Sequence, residues 1–240
     1  MIIGFTGNLG GGKTLGAVQW TLQYSLRAGG APVATNIRLN PAYWTAHRDT
    51  NPAFRIVPLR KPDDLIDFVR GGGGIVLLDE LHRMADSRMS MATANVLLSQ
   101  FVMFLRKAGL TLIFTSQWER QIDSRLRAIM DLVIRCRKWK TPEGPRFEYQ
   151  VWDWQAGRLL GTRYIEPATA MTLWGAYDSY EFGQVLRLPS SVKAFDNWMA
   201  RLEAAALEAR GRIRGSRTDS VPPAVGAEET AGGERPAVGA

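Results

Sequence analysis

The sequence contains very little cysteine or histidine. Its 240 residues include one cysteine, Cys136, and two histidines, His47 and His82. A single cysteine excludes a disulfide within the chain and a cluster of cysteine metal ligands. With only two imidazoles, the composition also argues against a structural zinc site. We therefore expect any metal ion to be carried in by a bound ligand.

Long apolar runs are also absent. The longest candidates, Ile75–Leu78 and residues 171–176, have the size of a strand or a turn, whereas a membrane-spanning helix needs roughly 20 apolar residues. Residues 1–5 are apolar but run into glycines, with no basic segment and no cleavage site. The sequence therefore predicts no transmembrane helix, no signal peptide and a cytoplasmic location.

The composition is typical of one globular α/β domain, because 45% of the residues are hydrophobic and 22% are charged. Thirty basic residues oppose twenty-three acidic ones, which gives a formal net charge of +7. A polyanionic partner such as nucleic acid would suit this charge. A soluble protein from a genome that prefers arginine would show the same excess, so charge alone leaves both interpretations open.

Strands and helices alternate along the first half of the chain. Hydrophobic periodicity predicts strands at residues 2–6, 32–36, 75–78 and 110–115, and helices at 13–27, 62–69, 91–107 and 124–130. Residues 38–58 are rich in Pro, Asn and Thr and predict a loop. The alternation predicts an α/β fold with a mainly parallel sheet between helices.

The second half has a different pattern. Short turns separate three segments of strand character, residues 131–139, 147–154 and 158–165, which predicts an antiparallel meander. A helix follows from Ser190 or Ser191 to about residue 209. The predicted division is one domain at residues 1–187 that includes these antiparallel strands, a C-terminal helix at 188–211 and a disordered tail at 212–240.

The first chemical motif follows the first strand directly. Residues 7–14 fit the pattern Gly-x-x-x-x-Gly-Lys-Thr, in which backbone N–H groups and a helix N-terminus hold phosphate oxygens. Lys13 would reach the β- and γ-phosphates, and the Thr14 hydroxyl would bind Mg²⁺. A chance match in a glycine-rich turn is the alternative, but the flanking strand and helix favour a P-loop. The predicted nucleotide-binding residues are Gly7, Asn8, Leu9, Gly10, Gly11, Gly12, Lys13, Thr14 and Leu15.

Two adjacent acids end the buried strand Ile75–Leu78. Asp79 is suited to holding Mg²⁺ through its water shell, and Glu80 is placed to orient and deprotonate an attacking water. Such a base is needed by a hydrolase but is superfluous in a small-molecule kinase, which argues against the kinase alternative. Glu80 could instead be a surface acid near the start of the next helix.

Other polar residues follow the same logic. Gln117 comes after the strand expected beside the Asp79 strand, where an amide could contact the γ-phosphate or the attacking water; a solvated loop residue is the alternative. Arg125 and Arg106 lie in or beside helices that flank motif-bearing strands. Either is a candidate arginine finger for a neighbouring subunit, although a solvated arginine gives the same pattern.

Two further clusters have an open interpretation. The meander carries the aromatic residues Trp139, Tyr149, Trp152 and Trp154. They could be mistaken for a base-stacking platform, but their alternation favours a sheet face buried against the domain. Arginines between positions 210 and 217 are suited to contacting a phosphate backbone, or to forming a solvated linker.

Together these motifs resemble the small FtsK/HerA-type ATPases of viruses, in particular the genome-packaging ATPases of membrane-containing icosahedral phages and archaeal viruses. They also resemble the N-terminal ATPase domain of zonular-occludens-toxin-like proteins of filamentous phages. Besides the P-loop, the resemblance rests on residues 77–82, 86–90, 114–117, 122–127 and 177–181.

The resemblance implies a RecA/FtsK-like core in which the Gln117 strand lies beside the Asp79 strand. It further implies ATP and Mg²⁺ as cofactors, a homo-oligomeric ring, expected to be a hexamer, and passage of double-stranded DNA without sequence specificity. Lys13, Thr14, Asp79, Glu80 and Gln117 match the family pattern, whereas the arginine finger does not transfer.

The expected work is packaging of viral DNA into a capsid, with capsid or membrane-vertex proteins as partners, in the host cytoplasm or docked at a virion. The alternative is a Zot-like assembly or secretion ATPase of a filamentous phage. Such proteins usually continue into a membrane-spanning helix, which the sequence does not show, so packaging is the favoured expectation.

Overall fold

The computed structural model describes residues 1–40, 42–44, 54–84, 90–117, 124–178 and 186–218. The predictions for residues 86–89, 122–123, 179–181 and the tail beyond residue 218 lie outside this part of the chain.

The described residues form strands and helices with the following bounds. The strands are β1 (Ile2–Thr6), β2 (Val33–Thr35), β3 (Ile56–Pro58), β4 (Ile75–Leu78), β5 (Thr111–Ser116), β6 (Leu132–Thr141), β7 (Gly144–Asp153) and β8 (Arg158–Ile165). The helices are α1 (Lys13–Arg27), α2 (Pro62–Arg70), α3 (Met91–Lys107), α4 (Ser124–Ile129), α5 (Pro167–Trp174) and α6 (Val192–Thr218), with a 3₁₀ turn at Leu81–Met84.

These strands form one eight-stranded sheet in the order β3-β2-β4-β5-β1-β6-β7-β8. The pairings from β3 to β6 are parallel, and β6, β7 and β8 pair antiparallel. The predicted α/β class, the mainly parallel sheet and the meander are confirmed. β5 lies between β4 and β1. The P-loop, Asp79 and Gln117 therefore follow three neighbouring parallel strands and meet along the edge of the sheet that is formed by the carboxyl ends of these strands.

Both faces of the sheet are covered over its parallel part, which explains the continuous apolar run in β4. Val76 and Leu78 pack with residues of α2, α3 and α6 on one face. Ile75 and Leu77 pack with residues of α1 on the other. A strand buried on both faces has no polar positions to alternate with apolar ones.

Local signals fix the helix starts. Pro62 occupies the first turn of α2, and the Asp64 carboxylate accepts hydrogen bonds from the N–H groups of Arg60 and Lys61 at 2.7 and 2.9 Å. Ser90 caps α3, because its hydroxyl accepts the N–H of Thr93 at 3.2 Å. These are the first-turn acid and the small polar cap that stabilise a helix N-terminus.

Three elements differ from the sequence predictions. Residues 56–58, within the predicted loop, form β3, the outermost strand beside β2. Residues 171–174, taken as strand- or turn-sized, belong to helix α5. Helix α6 continues to Thr218, past the boundary predicted at residue 211.

Two arginines attach the C-terminal half of α6 to neighbouring helices. The guanidinium groups of Arg210 and Arg212 donate to the backbone carbonyls of Lys107 and Arg70, at the C-terminal ends of α3 and α2. Helix C-termini carry partial negative charge, so cations are favoured there. These two arginines therefore hold helices together, which a charged linker would not do.

No helix in the described ranges combines the length and apolar character required to cross a bilayer.

Candidate active site

The glycine-rich segment forms a compact loop between β1 and α1. Gly12 stands before α1 in the left-handed conformation, with φ of 86°. The Gly11 N–H donates to the Asn8 carbonyl at 3.0 Å, which closes a turn inside the loop. The Lys13 side chain, only 6% exposed, reaches back so that Nζ donates to the same carbonyl at 3.1 Å. The lysine ammonium thus lies over the loop whose N–H groups are suited to phosphate.

Strands β6 and β7 pack directly against this loop. The Tyr149 hydroxyl donates to the Gly12 carbonyl at 2.9 Å, and a Cβ placed on Gly12 would lie 2.4 Å from the Phe147 ring. A Cβ on Gly7, which has φ of 148°, would lie 2.5 Å from the carbonyl oxygen of Cys136. Glycine is therefore required at these two positions by backbone conformation and by close packing.

Asp79 is the centre of the polar contacts at the edge of the sheet. Its Oδ1 accepts the Thr14 hydroxyl at 3.0 Å and the Thr115 hydroxyl at 2.7 Å. Asn36, which follows β2, fixes the Asp79 backbone in two places: Oδ1 accepts the N–H at 2.8 Å and Nδ2 donates to the carbonyl at 3.1 Å. The structure thus brings the P-loop threonine and the predicted acid into contact.

Glu80 has an uncommon backbone. Its φ of 52° is the one positive value among the described residues other than glycine, a conformation that usually marks strain or function outside glycine. Its N–H donates to the Thr115 hydroxyl at 2.8 Å. Its carboxylate is 20% exposed, and the buried Oε2 lies 3.3 Å from Nε2 of His82. Within the described part of the chain Oε2 accepts no hydrogen bond.

Gln117 lies where the sequence predicted it, at the end of the strand between the P-loop and the Asp79 strand, and its side chain is half-buried. Nearby lies a residue that had no assigned role. Burial raises the pKa of Tyr177 to about 12, and the neighbouring Asp79 carboxylate adds to this rise.

Of the two candidate arginines, Arg106 lies apart from this cluster. Arg106 donates to the Ile129 carbonyl at 3.1 Å and to Asp131 Oδ1 at 3.4 Å. Asp131 also accepts the Ile2 N–H at 2.7 Å, at the start of β1 and so at the end opposite the P-loop. Arg106 thus supports the start of the strand. Arg125 is exposed on α4, and the arginine-finger hypothesis stays a prediction.

Sequence reasoning missed Asn36, Thr115 and Tyr149 as site residues. Thr115 precedes Gln117 by two positions and Asn36 directly follows β2, so a polar residue at the carboxyl end of a buried parallel strand was the signal available for both. Tyr149 had no such signal, because its contact with the loop depends on the pairing of β6 with β7.

The donor set suits a magnesium nucleotide. The Thr14 hydroxyl and the Asp79 carboxylate supply hard oxygen ligands, which Mg²⁺ prefers together with water and phosphate oxygens. The loop N–H groups and Lys13 supply the positive surroundings that phosphates need. Strand β1, this loop, helix α1 and the acids after β4 define a P-loop NTPase.

The family assignment agrees with this class. The zonular occludens toxin (Zot) family profile matches residues 1–158, more than half of the chain. The chain belongs to the zonular occludens toxin family. No curated protein sequence matches it closely enough to count as a relative.

Two solved structures share part of the architecture. The flagellar accessory protein FlaH from Methanocaldococcus jannaschii is 10% identical, with a TM-score of 0.46 over 69% of this chain and 84% of that one. A KaiC-like protein from Pyrococcus horikoshii OT3 is 14% identical, with a TM-score of 0.47 over 69% of this chain and 86% of that one. Neither likeness assigns a function to this chain.

Proposed function

We propose that this protein hydrolyses ATP with Mg²⁺ and uses the energy for mechanical work in phage assembly. The observation that carries the hydrolysis is one connected set of hydrogen bonds: Thr14 and Thr115 both donate to Asp79 Oδ1, and Thr115 also accepts the N–H of Glu80. The phosphate-binding loop, the metal-binding acid and the candidate base are thereby held in one geometry.

The binding roles follow from chemistry. The N–H groups of the loop and the Lys13 ammonium hold the β- and γ-phosphates, while Thr14 and Asp79 hold the metal, Asp79 through the metal's water shell. Mg²⁺ supplies charge neutralisation on the phosphates when bound. Lys13 exchanges its 3.1 Å bond with the Asn8 carbonyl for phosphate oxygens, so the loop holds its cation close to where the phosphates bind.

Glu80 is the candidate general base. Its carboxylate lies beside the metal-binding acid Asp79, with the buried Oε2 3.3 Å from His82 Nε2, and we assign to it the proton of the attacking water. Gln117, from the neighbouring strand, would contact the γ-phosphate or the same water. Arg125 would act on the site of the next subunit in a ring, which we propose to be hexameric as the resemblance implied.

Membership of the zonular occludens toxin family favours assembly or secretion of a filamentous phage as the work that hydrolysis drives. Packaging of double-stranded DNA into a capsid is the second candidate, and the net charge of +7 supports it. DNA contacts of this kind would be independent of sequence and weakened by salt.

ATP turnover tests the hydrolysis. Lys13→Ala should abolish turnover, and Glu80→Gln should lower it by about 10²- to 10⁴-fold while nucleotide binding is retained. Glu203→Gln, at an exposed position of α6, is the matched control and should turn over like the wild type. Unchanged turnover in Glu80→Gln would remove Glu80 as the base, whereas negligible turnover in the wild type would contradict the proposal and favour a nucleotide-gated binding module.

The same assay distinguishes the two kinds of work. Turnover should be measured with and without double-stranded DNA at low and moderate salt. Turnover that requires Lys13 and ignores DNA is the expected result for the assembly function. A several-fold rise with DNA at low salt would favour packaging instead.

A further inference from the structure

A cavity opens beside the P-loop, on the side away from Asp79. Its volume is about 430 Å³, and it is lined by residues 8–11 of the loop and residues 136–139 of β6. It arises because β1 ends at Thr6, which pairs with Arg135, whereas β6 continues to Thr141. The extra length of β6 therefore forms a wall next to the loop. The volume lies in the range of small-molecule sites.

The lining of the cavity ends at Trp139, whose side chain is held by a hydrogen bond and is still half exposed to solvent. The Trp139 indole is 50% exposed, although its Nε1 donates to Glu148 Oε2 at 2.9 Å. Glu148 is buried at 7% exposure, and its second oxygen accepts Gln150 Nε2 at 2.8 Å. A buried carboxylate held on both oxygens anchors the indole without covering it. The prediction that the aromatic residues of the meander form a buried face therefore holds for Tyr149, which is 0% exposed, and not for Trp139.

The charge of the wall complements a polyphosphate. Arg137 and Lys138 line the same cavity as Trp139, and both are exposed. The floor is formed by residues 8–11 of the loop that would hold the phosphates. The cavity therefore combines a basic surface beside the phosphate site with an aromatic surface further along β6, the two features that a nucleoside phosphate requires.

We propose that this cavity is the nucleoside subsite of the enzyme, and that the base of the bound nucleoside triphosphate stacks on Trp139 while Arg137 and Lys138 contact its phosphates. This inference rests on the proposed function, since it places the nucleoside of the nucleotide whose phosphates the P-loop holds. Glu148 is a positioning residue, which acts on the base through the indole. Stacking accepts any base with an aromatic face, so this contact supplies affinity with little base selectivity.

Binding of two ligands to the full-length chain tests this subsite. Isothermal titration with Mg²⁺ present compares ATP with inorganic tripolyphosphate, which has the phosphates but no base. Trp139→Ala should raise the Kd for ATP by about tenfold, in the range that loss of one base stack produces, and leave the Kd for tripolyphosphate unchanged. Trp139→Phe keeps an aromatic face and should stay within about threefold of the wild type for ATP.

Two controls separate the possible failures. Trp174→Ala removes an exposed tryptophan of α5 outside the cavity and should bind both ligands as the wild type does. Lys13→Ala should lose both ligands. If Lys13→Ala binds both normally, the proposed function itself fails. If Lys13→Ala loses both, but Trp139→Ala binds ATP normally or weakens both ligands equally, the nucleoside subsite alone is overturned, and Trp139 serves another surface such as a subunit contact.

Discussion

The hydroxyl of Thr115 joins the two acids of the site, donating to Asp79 Oδ1 at 2.7 Å and accepting the N–H of Glu80 at 2.8 Å. One buried side chain thereby orients the metal-binding carboxylate and holds the backbone of the candidate base. Because Glu80 has a positive φ of 52°, its backbone depends on such a partner to stay in place.

Replacing Thr115 with valine should weaken both stability and turnover. Valine keeps the shape but leaves the Glu80 N–H unsatisfied and removes a donor from Asp79. An unsatisfied polar group costs about 1–3 kcal/mol of unfolding free energy, and a loss of about 1.4 kcal/mol in the transition state lowers turnover about tenfold. Urea unfolding and steady-state ATP turnover measure the two effects.

Thr115→Ser is the matched control, since serine retains the hydroxyl. It should keep turnover within about threefold of the wild type, because the two hydrogen bonds can still form. Equal losses in Thr115→Val and Thr115→Ser would contradict this assignment, because serine retains the hydroxyl that valine lacks.

Gly16 lies in α1 where a side chain has no room. A Cβ there would lie 2.3 Å from the Tyr149 ring and 3.0 Å from the Phe5 ring. We expect Gly16→Ala to lower the unfolding free energy by about 1–3 kcal/mol through overpacking. Gly211→Ala is the counterpart in α6: nothing lies within 4 Å of its Cβ, and alanine should raise helix stability by up to about 1 kcal/mol. Thermal melting of both variants measures the difference. A Gly16→Ala variant as stable as Gly211→Ala would contradict this assignment.

Stability should fall when the pH rises above about 10. Burial raises the pKa of Tyr149 and of Tyr177, the latter from 10.0 to about 12. The unfolded chain therefore loses these phenolic protons first, so the stabilising contribution is complete below pH 10 and for Tyr177 is lost as the pH approaches about 12. Urea unfolding between neutral pH and pH 11 measures the slope. Tyr177→Phe should show a shallower decline, and an unchanged slope would remove this residue as the cause.

Gln117 is predicted to act in turnover and not in folding. Its side chain is half-buried at the catalytic edge of the sheet, so Gln117→Ala should lower ATP turnover by about tenfold or more and leave the melting temperature within about 2 °C of the wild type. Gln100→Ala, at an exposed position of α3, should change neither. Normal turnover in Gln117→Ala would make this glutamine an ordinary loop residue.

The parts of the fold that sequence predicted well are those with local signals. The bounds of β1, α1, β4 and α3 agree with prediction, because apolar runs, glycines and a serine cap mark them within a few residues. β3 was missed because its three residues depend on pairing with β2, a contact that is not visible locally. The contacts of Arg210 and Arg212 with the ends of other helices were likewise not visible in the local sequence.

The candidate site was also predicted only where the sequence carries a local signal. The P-loop, Asp79 and Glu80 could be located from spacing alone, and the structure brings Thr14 and Asp79 into contact as expected. Thr115 and Asn36 had only the weaker signal of a polar residue at the carboxyl end of a buried strand, since each meets Asp79 only after three strands have aligned. Trp139 was placed in a buried face because alternation does not show where a strand outgrows its neighbour.

The contact of Phe147 and Tyr149 with Gly12 has a consequence for protein engineering. The eight residues of the phosphate loop do not determine their conformation alone. Part of it depends on contacts with a hairpin more than a hundred positions later, which carries none of the catalytic groups. A graft of the loop between another strand and helix, without that hairpin, would keep the amino-acid sequence of the motif and lose its conformation. Conversely, we expect a substitution in the hairpin to abolish nucleotide binding even when every residue of the motif is unchanged.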